Sequence, residues 1–260
     1  MNDNSLYYQV NGNNYRIRLY LLVVVASLIV ALISGTFAYF QASAVNNTTI
    51  TGKIADVGVT LNVSKLTTSG TAPSSTVMIP YNLISSAGVL DVTTTTGIPK
   101  ALSSGCVDSS QYSVCDVFKI EVKANSPVVL DGYLNIRKKN AEANIPNVKW
   151  ALLGPKGTTN ASNIQNITSS VYNTSTYLKA GNVKSASNTT TGTDVMFTNV
   201  GSSSYKGITF NTMSSYYYIM VWLEDIEDNQ EDSGNYQGVV TFKAYSDAGD
   251  TQGKVTAKFS

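Results

Sequence analysis

Histidine is absent from the 260 residues. The commonest general base and the commonest zinc ligand are therefore both missing. Ser and Thr hydroxyls are plentiful, but no G-x-S-x-G elbow presents one and no imidazole can activate it. A Ser–Lys pair stays open, because lysines are spread along the chain and none is tied to a particular serine. Neither a Walker loop nor a Rossmann fingerprint occurs. Carboxylates are the next candidates: six of the 17 acids, Glu224, Asp225, Glu227, Asp228, Glu231 and Asp232, fall within nine residues. With Asn229 and Gln230 beside them they offer the hard oxygen ligands calcium takes. Asp225, Glu227, Asp228, Glu231 and Asp232 are the candidate calcium ligands. The order EDIEDNQED departs from EF-hand spacing, and the plainer reading is a solvated hairpin loop whose charge keeps a strand pair soluble. One loop is also a poor place for the preorganised carboxylate pair of a glycosidase.

Two cysteines, Cys106 and Cys115, stand in a Ser-, Asp- and Gly-rich stretch. In an exported domain they read as a disulfide closing a small loop, worth about 2–3 kcal/mol by loop entropy. Two sulfurs with no further ligands nearby make a weak metal site. Among the 16 tyrosines, Tyr216, Tyr217 and Tyr218 are consecutive. They form either an outward platform for sugars or proteins or a core strand with tyrosine rims. Sequons occur at Asn46, Asn47, Asn62, Asn160, Asn166, Asn173 and Asn188, and they mean glycans only where a host has the machinery. The residue inventory reads as a non-enzyme, with calcium the one cofactor it offers. No extended basic face accompanies the net charge of +1, which argues against nucleic acid as a partner.

These side chains must be positioned by an exported domain, because Leu19 to Phe40 carries no charge and has the length to cross a bilayer as a helix. Arg16 and Arg18 precede it, which keeps the N-terminus in the cytoplasm and sends the rest outward. The expected layout is residues 1–18 as a cytoplasmic tail or long n-region and 19–40 as a transmembrane or signal helix. A connector then covers 41–54, and one extracellular domain covers 55–260. The small residues Ser34-Gly35-Thr36-Phe37-Ala38 also suit a signal peptidase, so tether and cleaved signal both stay open. Hydrophobic residues make up 43% of the chain and charged ones only 13%, with Thr, Ser and Asn in place of the charges. Such a surface suits an exposed sheet.

Within that domain Ala55 to Leu66 alternates, with Val57, Val59, Leu61 and Val63 on one face, as a half-buried strand does. Val77 to Leu83 reads as a short edge strand limited by Pro80, and Ser85 to Cys115 as loop. Val117 to Val122 and Val128 to Ile136 are expected to pair as a hairpin around Asn125-Ser126-Pro127. Val148 to Leu153 is a further strand, and Ile167 to Ala180 reads as a short helix or a wandering loop. Val195 to Phe197 and Gly207 to Phe210 are short strands. Tyr216 to Leu223 is apolar throughout, the mark of a central strand covered on both faces. Gly238 to Ser246 is its expected hairpin partner, and Gly253 to Phe259 closes the domain. Many short strands and almost no amphipathic helix specify an all-β fold, an antiparallel β-sandwich behind one N-terminal helix.

Two stretches resemble exported proteins of the TasA and camelysin type. One is the apolar segment ending GTFAYF (Gly35 to Phe40) with the alternating strand after it. The other is YYYIMVWLEDIEDNQEDSGNYQGVVTFKA (Tyr216 to Ala244), similar to that group's final hairpin. The likeness covers roughly the first 65 and the last 45 residues and does not extend to the disulfide region between them. The resemblance implies a jelly-roll-like sandwich, a specialised (SipW-type) signal cleaved between Ala38 and Tyr39, and a bacterial cell-surface or biofilm-matrix protein. It also implies fibres in which one subunit's N-terminal segment adds a strand to the next, with Ala42 to Ile54 as the donor. Partners would then be further copies of the chain or other surface proteins. The tail before Arg16 is longer than in those signals. Camelysin-type metallopeptidase activity is not implied, since H-E-x-x-H cannot occur without histidine. A membrane-anchored adhesin or ligand-binding module is the alternative function, and a histidine-free hydrolase the third.

Overall fold

The computed structural model describes residues 20–25, 42–43, 47–54, 57–70, 73, 75–85, 88–141, 144–145, 147–153, 159–167, 183–198, 207–225, 235–245 and 251–260. Residues 20–25 are helical. The rest of the expected span Leu19 to Phe40, and the expected cleavage bond Ala38–Tyr39, lie outside the described residues. No helix among the described residues is long and apolar enough to cross a membrane.

Among the described residues fourteen strands follow in chain order: β1 (Ala42–Ser43), β2 (Asn47–Ile54), β3 (Val57–Lys65), β4 (Ser75–Met78), β5 (Tyr112–Ser113), β6 (Cys115–Ala124), β7 (Val128–Lys138), β8 (Val148–Leu152), β9 (Lys184–Ser185), β10 (Val195–Met196), β11 (Ile208–Phe210), β12 (Ser215–Leu223), β13 (Tyr236–Tyr245) and β14 (Thr251–Phe259). Sheet I runs β1-β14-β13-β7-β10, with β11 also on β7; sheet II runs β2-β3-β6-β12-β8-β9; β4 and β5 form a small pair. Pairing is antiparallel except for β1 on β14 and β4 on β5.

The inner faces of the two sheets meet in one core. Alternation decides which residues enter it: Val59, Leu61 and Val63 of β3 are buried while Thr60, Asn62 and Ser64 stay half-exposed. Phe118, Ile120 and Val122 of β6 join them, facing Leu130, Leu134 and Ile136 of β7 and Val240 and Phe242 of β13. Phe197 and Phe210 each meet the Phe242 ring edge-on, at 5.6 and 5.4 Å between centroids, a geometry aromatic pairs favour.

Both expected hairpins are instead crossovers between sheets. β6 lies in sheet II and β7 in sheet I; β12 lies in sheet II between β6 and β8, whereas β13 pairs β7 and β14 in sheet I. The turn residues Asn125-Ser126-Pro127 reverse the chain as expected, but they carry it across the core. Burying the inward faces of both strands against each other outweighs pairing their edges. The strands that flank the acidic stretch, β12 and β13, therefore lie in different sheets.

A second core lies on the outer face of sheet II, built from Tyr216, Tyr218, Met220 and Trp222 of β12 with Leu83, Leu90, Leu102 and Ile164. Its cover comes from the stretch expected to be loop. Thr93 N–H and the Thr93 and Thr96 hydroxyls converge on the Asp91 carboxylate at 2.8–3.1 Å, and Ile98 N–H donates to the Asp91 carbonyl at 2.8 Å. That knot opens helix α1 (Ile98–Ser103), with a proline in its first turn. Ile98, Ala101 and Leu102 point into the second core. Gly105 and Cys106 then take left-handed backbone (φ 73° and 59°), which reverses the chain after the helix and aims Cys106 at Cys115. β4 matches the N-terminal end of the expected edge strand, ending before Pro80. A 3-10 turn, Ile164–Asn166, adds to the cover. Residues 168–180 of the stretch expected as helix or loop are outside the described residues.

Candidate functional site

Cys106 and Cys115 form the expected disulfide. It joins the chain after α1 to the first residue of β6, so it fastens the irregular cover to the middle of sheet II. Beside it opens a cavity of about 250 Å³, lined by Lys65, Leu66 and Thr68, by Cys106 and Cys115, and by Ser113, Asp116 and Ile164 among others. Its wall is set by pinned loops: Ile164 N–H donates to the Thr67 carbonyl at 3.1 Å, and the Gln165 amide bonds Thr68 Oγ1 at 2.6 Å. A Cβ on Gly105 would collide with that threonine.

At the cavity floor Lys65 Nζ contacts Asp116 Oδ1 at 2.5 Å. The second carboxylate oxygen accepts from the Tyr236 hydroxyl at 2.6 Å. Lys65 ends β3, Asp116 lies at the start of β6 and Tyr236 opens β13, so the trio spans both sheets. Phe118, the cross-strand partner of Lys65, packs edge-on to Tyr236 at 6.3 Å and against Phe259 at 4.1 Å. Loss of water around the phenol, then the adjacent Asp116 charge and its hydrogen bond, hold the Tyr236 hydroxyl well above the usual phenol range. The sequence reading did not single out this trio. A signal was present: Lys65 and Asp116 are the charged residues at inward positions of two strands whose alternation is otherwise apolar inside.

Lys65 and Ser113 line the same cavity, yet they do not make a Ser–Lys couple. The lysine is engaged by Asp116, and the serine hydroxyl points to the Cys115 carbonyl at 3.5 Å.

The tyrosine platform is not formed. Tyr216 and Tyr218 are 9% and 1% exposed, and Tyr217 is turned into the inner core. Tyr218 Oη accepts from Ala161 N–H at 2.7 Å and donates to the Thr159 carbonyl at 2.8 Å. Burial pushes its ionisation up. An all-apolar strand needs cover on both faces, and here the second cover takes the rings.

The acidic stretch divides. Glu224 is buried at 7% exposure, where it accepts from Trp222 Nε1 at 2.5 Å and more distantly from Leu83 N–H at 3.5 Å. Burial raises its pKa against the opposing pull of those hydrogen bonds. Asp225 is exposed, while Glu227, Asp228, Glu231 and Asp232 lie outside the described residues. Among the described residues no group of three or more His, Cys, Asp or Glu side chains is placed to hold a metal.

Several sequon side chains serve the fold. Asn62 donates to Glu121 at 3.5 Å, Asn160 accepts from Lys119 at 2.8 Å, Asn166 donates to Ser162 at 2.7 Å, and Asn188 accepts from Ile145 N–H at 3.0 Å.

The stretch expected as strand donor sits at the margin of both sheets. β2 pairs antiparallel with β3 from Asn47↔Ser64 to Ile54↔Val57, and β1 pairs parallel with β14 at Ala42↔Ala257. Both are outermost strands. Ile54 is fully buried in the inner core, and a Cβ on Gly52 would lie 3.7 Å from the Val255 side chain of sheet I. On the opposite margin the edge strands β9, β10 and β11 have two, two and three residues, which limits pairing there. Compared with known proteins, the chain matches no protein-family model and no curated protein.

Proposed function

We propose that this chain is a non-enzymatic, exported cell-surface protein, a fibre or biofilm-matrix subunit that joins its neighbours by strand addition. The reading follows the TasA/camelysin resemblance, with its jelly-roll-like connectivity and N-terminal helix that anchors the protein or is cleaved at Ala38–Tyr39. One observation carries it: residues 42–54 supply the outermost strand of both sheets, held at the margin by main-chain pairing. Main-chain pairing is the kind of contact that a second copy of the same segment reproduces bond for bond. Exchange of this segment between copies therefore costs little in contact energy and links subunits head to tail. Ile54 is the anchor, since its side chain fills the inner core wherever the strand comes from.

Electron microscopy of the exported protein tests this. Filaments are expected from the intact chain, and none from a chain lacking residues 42–54. A synthetic peptide of residues 42–54 added to the deleted chain should restore a folded, non-polymerising monomer. Filaments that form without the segment would overturn strand addition. N-terminal sequencing separates a released subunit, starting at Tyr39, from a tethered one that keeps Met1.

The membrane-anchored binding module is the second reading, and the preformed cavity beside the disulfide favours it. With Tyr216 and Tyr218 buried, any ligand contact would fall to that cavity and the loops. Glycan binding that survives Tyr216→Ala but is lost on Lys65→Met would support it.

A further inference from the structure

The trio at the cavity floor also has the parts of a covalent cross-link. We propose that Lys65 and Asp116 condense to an isopeptide bond that staples β3 to β6. Lys65 Nζ touches a carboxyl oxygen at 2.5 Å, so the carboxyl carbon is one bond beyond the contacted atom. The two strands cannot drift apart, because their ladder runs through Lys65↔Phe118 and Leu66 N–H donates to the Val117 carbonyl at 2.8 Å. Holding amine and carboxyl in standing contact turns a slow bimolecular condensation into a first-order one. The side chains are 31% and 12% exposed. That leaves the carboxyl largely out of water while the amine end borders the cavity through which water can depart.

The step balances without any oxidant or co-reactant. A proton passes from the Lys65 ammonium to the Asp116 carboxylate and comes to rest on the oxygen beside Tyr236, which gives a neutral amine and a neutral acid. The nitrogen lone pair attacks Cγ, forming the N–C bond. The C–O bond to the oxygen beside Tyr236 breaks, and that oxygen leaves as water. Tyr236 hands its proton to the departing oxygen and regains one from the nitrogen. Its hydroxyl suits this relay because it keeps its proton, for the reasons of burial and neighbouring charge given above, and stands 2.6 Å from the oxygen that leaves.

This cross-link does not depend on strand addition. It would lock the strand on which β2 docks to the centre of sheet II, which suits a subunit under tension in either proposed role.

Intact-mass spectrometry of the full folded chain, denatured with its disulfide kept, tests it. The expected mass is lighter by one water than the chain with its single disulfide. Fragmentation should give a branched peptide joining Lys65 to Asp116. Lys65→Arg keeps a cation at Asp116 but offers no amine to acylate, so it should show the full mass. Tyr236→Phe should leave a mixture that converts more slowly. A wild-type chain of full mass after prolonged incubation overturns the proposal and leaves an ordinary ion pair. So does a water loss that maps to a succinimide, for example at Asp131-Gly132, or one that persists in Lys65→Arg.

Discussion

The inner and outer cores share β12 but are assembled by different rules. Inside, alternating strands such as β3 join the doubly buried β12, and the two sheets bring Phe118, Tyr217, Phe242 and their neighbours together through regular ladders. Outside, the same strand presents Tyr216, Tyr218, Met220 and Trp222 to a cover of short helix, isolated turns and a disulfide. The inner core is held by repeated main-chain pairing. The outer one depends on single fastenings: the Asp91 knot, the Tyr218 hydroxyl, the Glu224 clamp and one S–S bond. The difference teaches that a sheet face can be closed without a second sheet, provided each backbone group of the irregular cover finds its own partner.

The largest effects should come from emptying each core in turn. Phe242→Ala and Trp222→Ala should each cost about 3–5 kcal/mol in urea unfolding. Because β12 belongs to both cores, each variant should still unfold in one transition. Two separate transitions for Trp222→Ala would break the comparison and make the cover an independent unit. Next in size is the disulfide. Cys106→Ser with Cys115→Ser should cost about 2–3 kcal/mol, the loop-closure value for so short a loop. Hydrogen exchange should rise in residues 88–114 and remain unchanged in β13 and β14. Smaller again, Gly238→Ala should cost about 1–3 kcal/mol, since its Cβ would meet the Phe259 ring within 2.1–2.4 Å. That change disturbs the inner core alone.

The smallest effects are in pH, and their signs differ within the outer layer. Burial raises the Glu224 pKa above 4.5, so its contribution is fully present below that value and declines as pH rises through the folded pKa. Glu224→Gln, which keeps the length and can still accept from Trp222, should flatten that decline in thermal melts taken from pH 4 upward. Asp91 has the opposite sign. The Thr93 N–H bond, opposed in part by burial and helped by the Thr93 and Thr96 hydroxyls, lowers its pKa below 3.8. Its stabilising contribution is present above that value and is lost as pH falls through the folded pKa. Asp91→Asn should remove that acid-side loss and leave the Glu224 branch intact.

The two cores also differ in how far they can be read from residues alone. The inner strands are legible because period-two alternation is a local property: Val57 to Val63 declares its face without help from the rest of the chain. β12 is legible as doubly buried because its apolar run is continuous. What covers its second face is not, since that cover follows from contacts between distant turns. α1 carried a readable cue, Pro99 in the first turn with Ile98, Ala101 and Leu102 on one face, but its six residues are too few for a periodic signal. The hairpin expectations failed for a related reason. Turn chemistry at Asn125-Ser126-Pro127 says that the chain reverses, not whether the reversal lies within a sheet or across the core. Of the site, the disulfide was legible from spacing and compartment. The Lys65–Asp116–Tyr236 trio requires β3, β6 and β13 to be placed first.

Strand exchange is the central claim, and the β2–β3 register offers a direct test. Thr49 lies opposite Asn62 in that ladder. In a chain carrying Thr49→Cys and Asn62→Cys, oxidation of the isolated monomer should close the bridge within one molecule. Oxidation of assembled filaments should instead give a ladder of covalent multimers on a non-reducing gel. Filaments in which the bridge stays within single chains would contradict the account, because β2 would then never have left its own sheet.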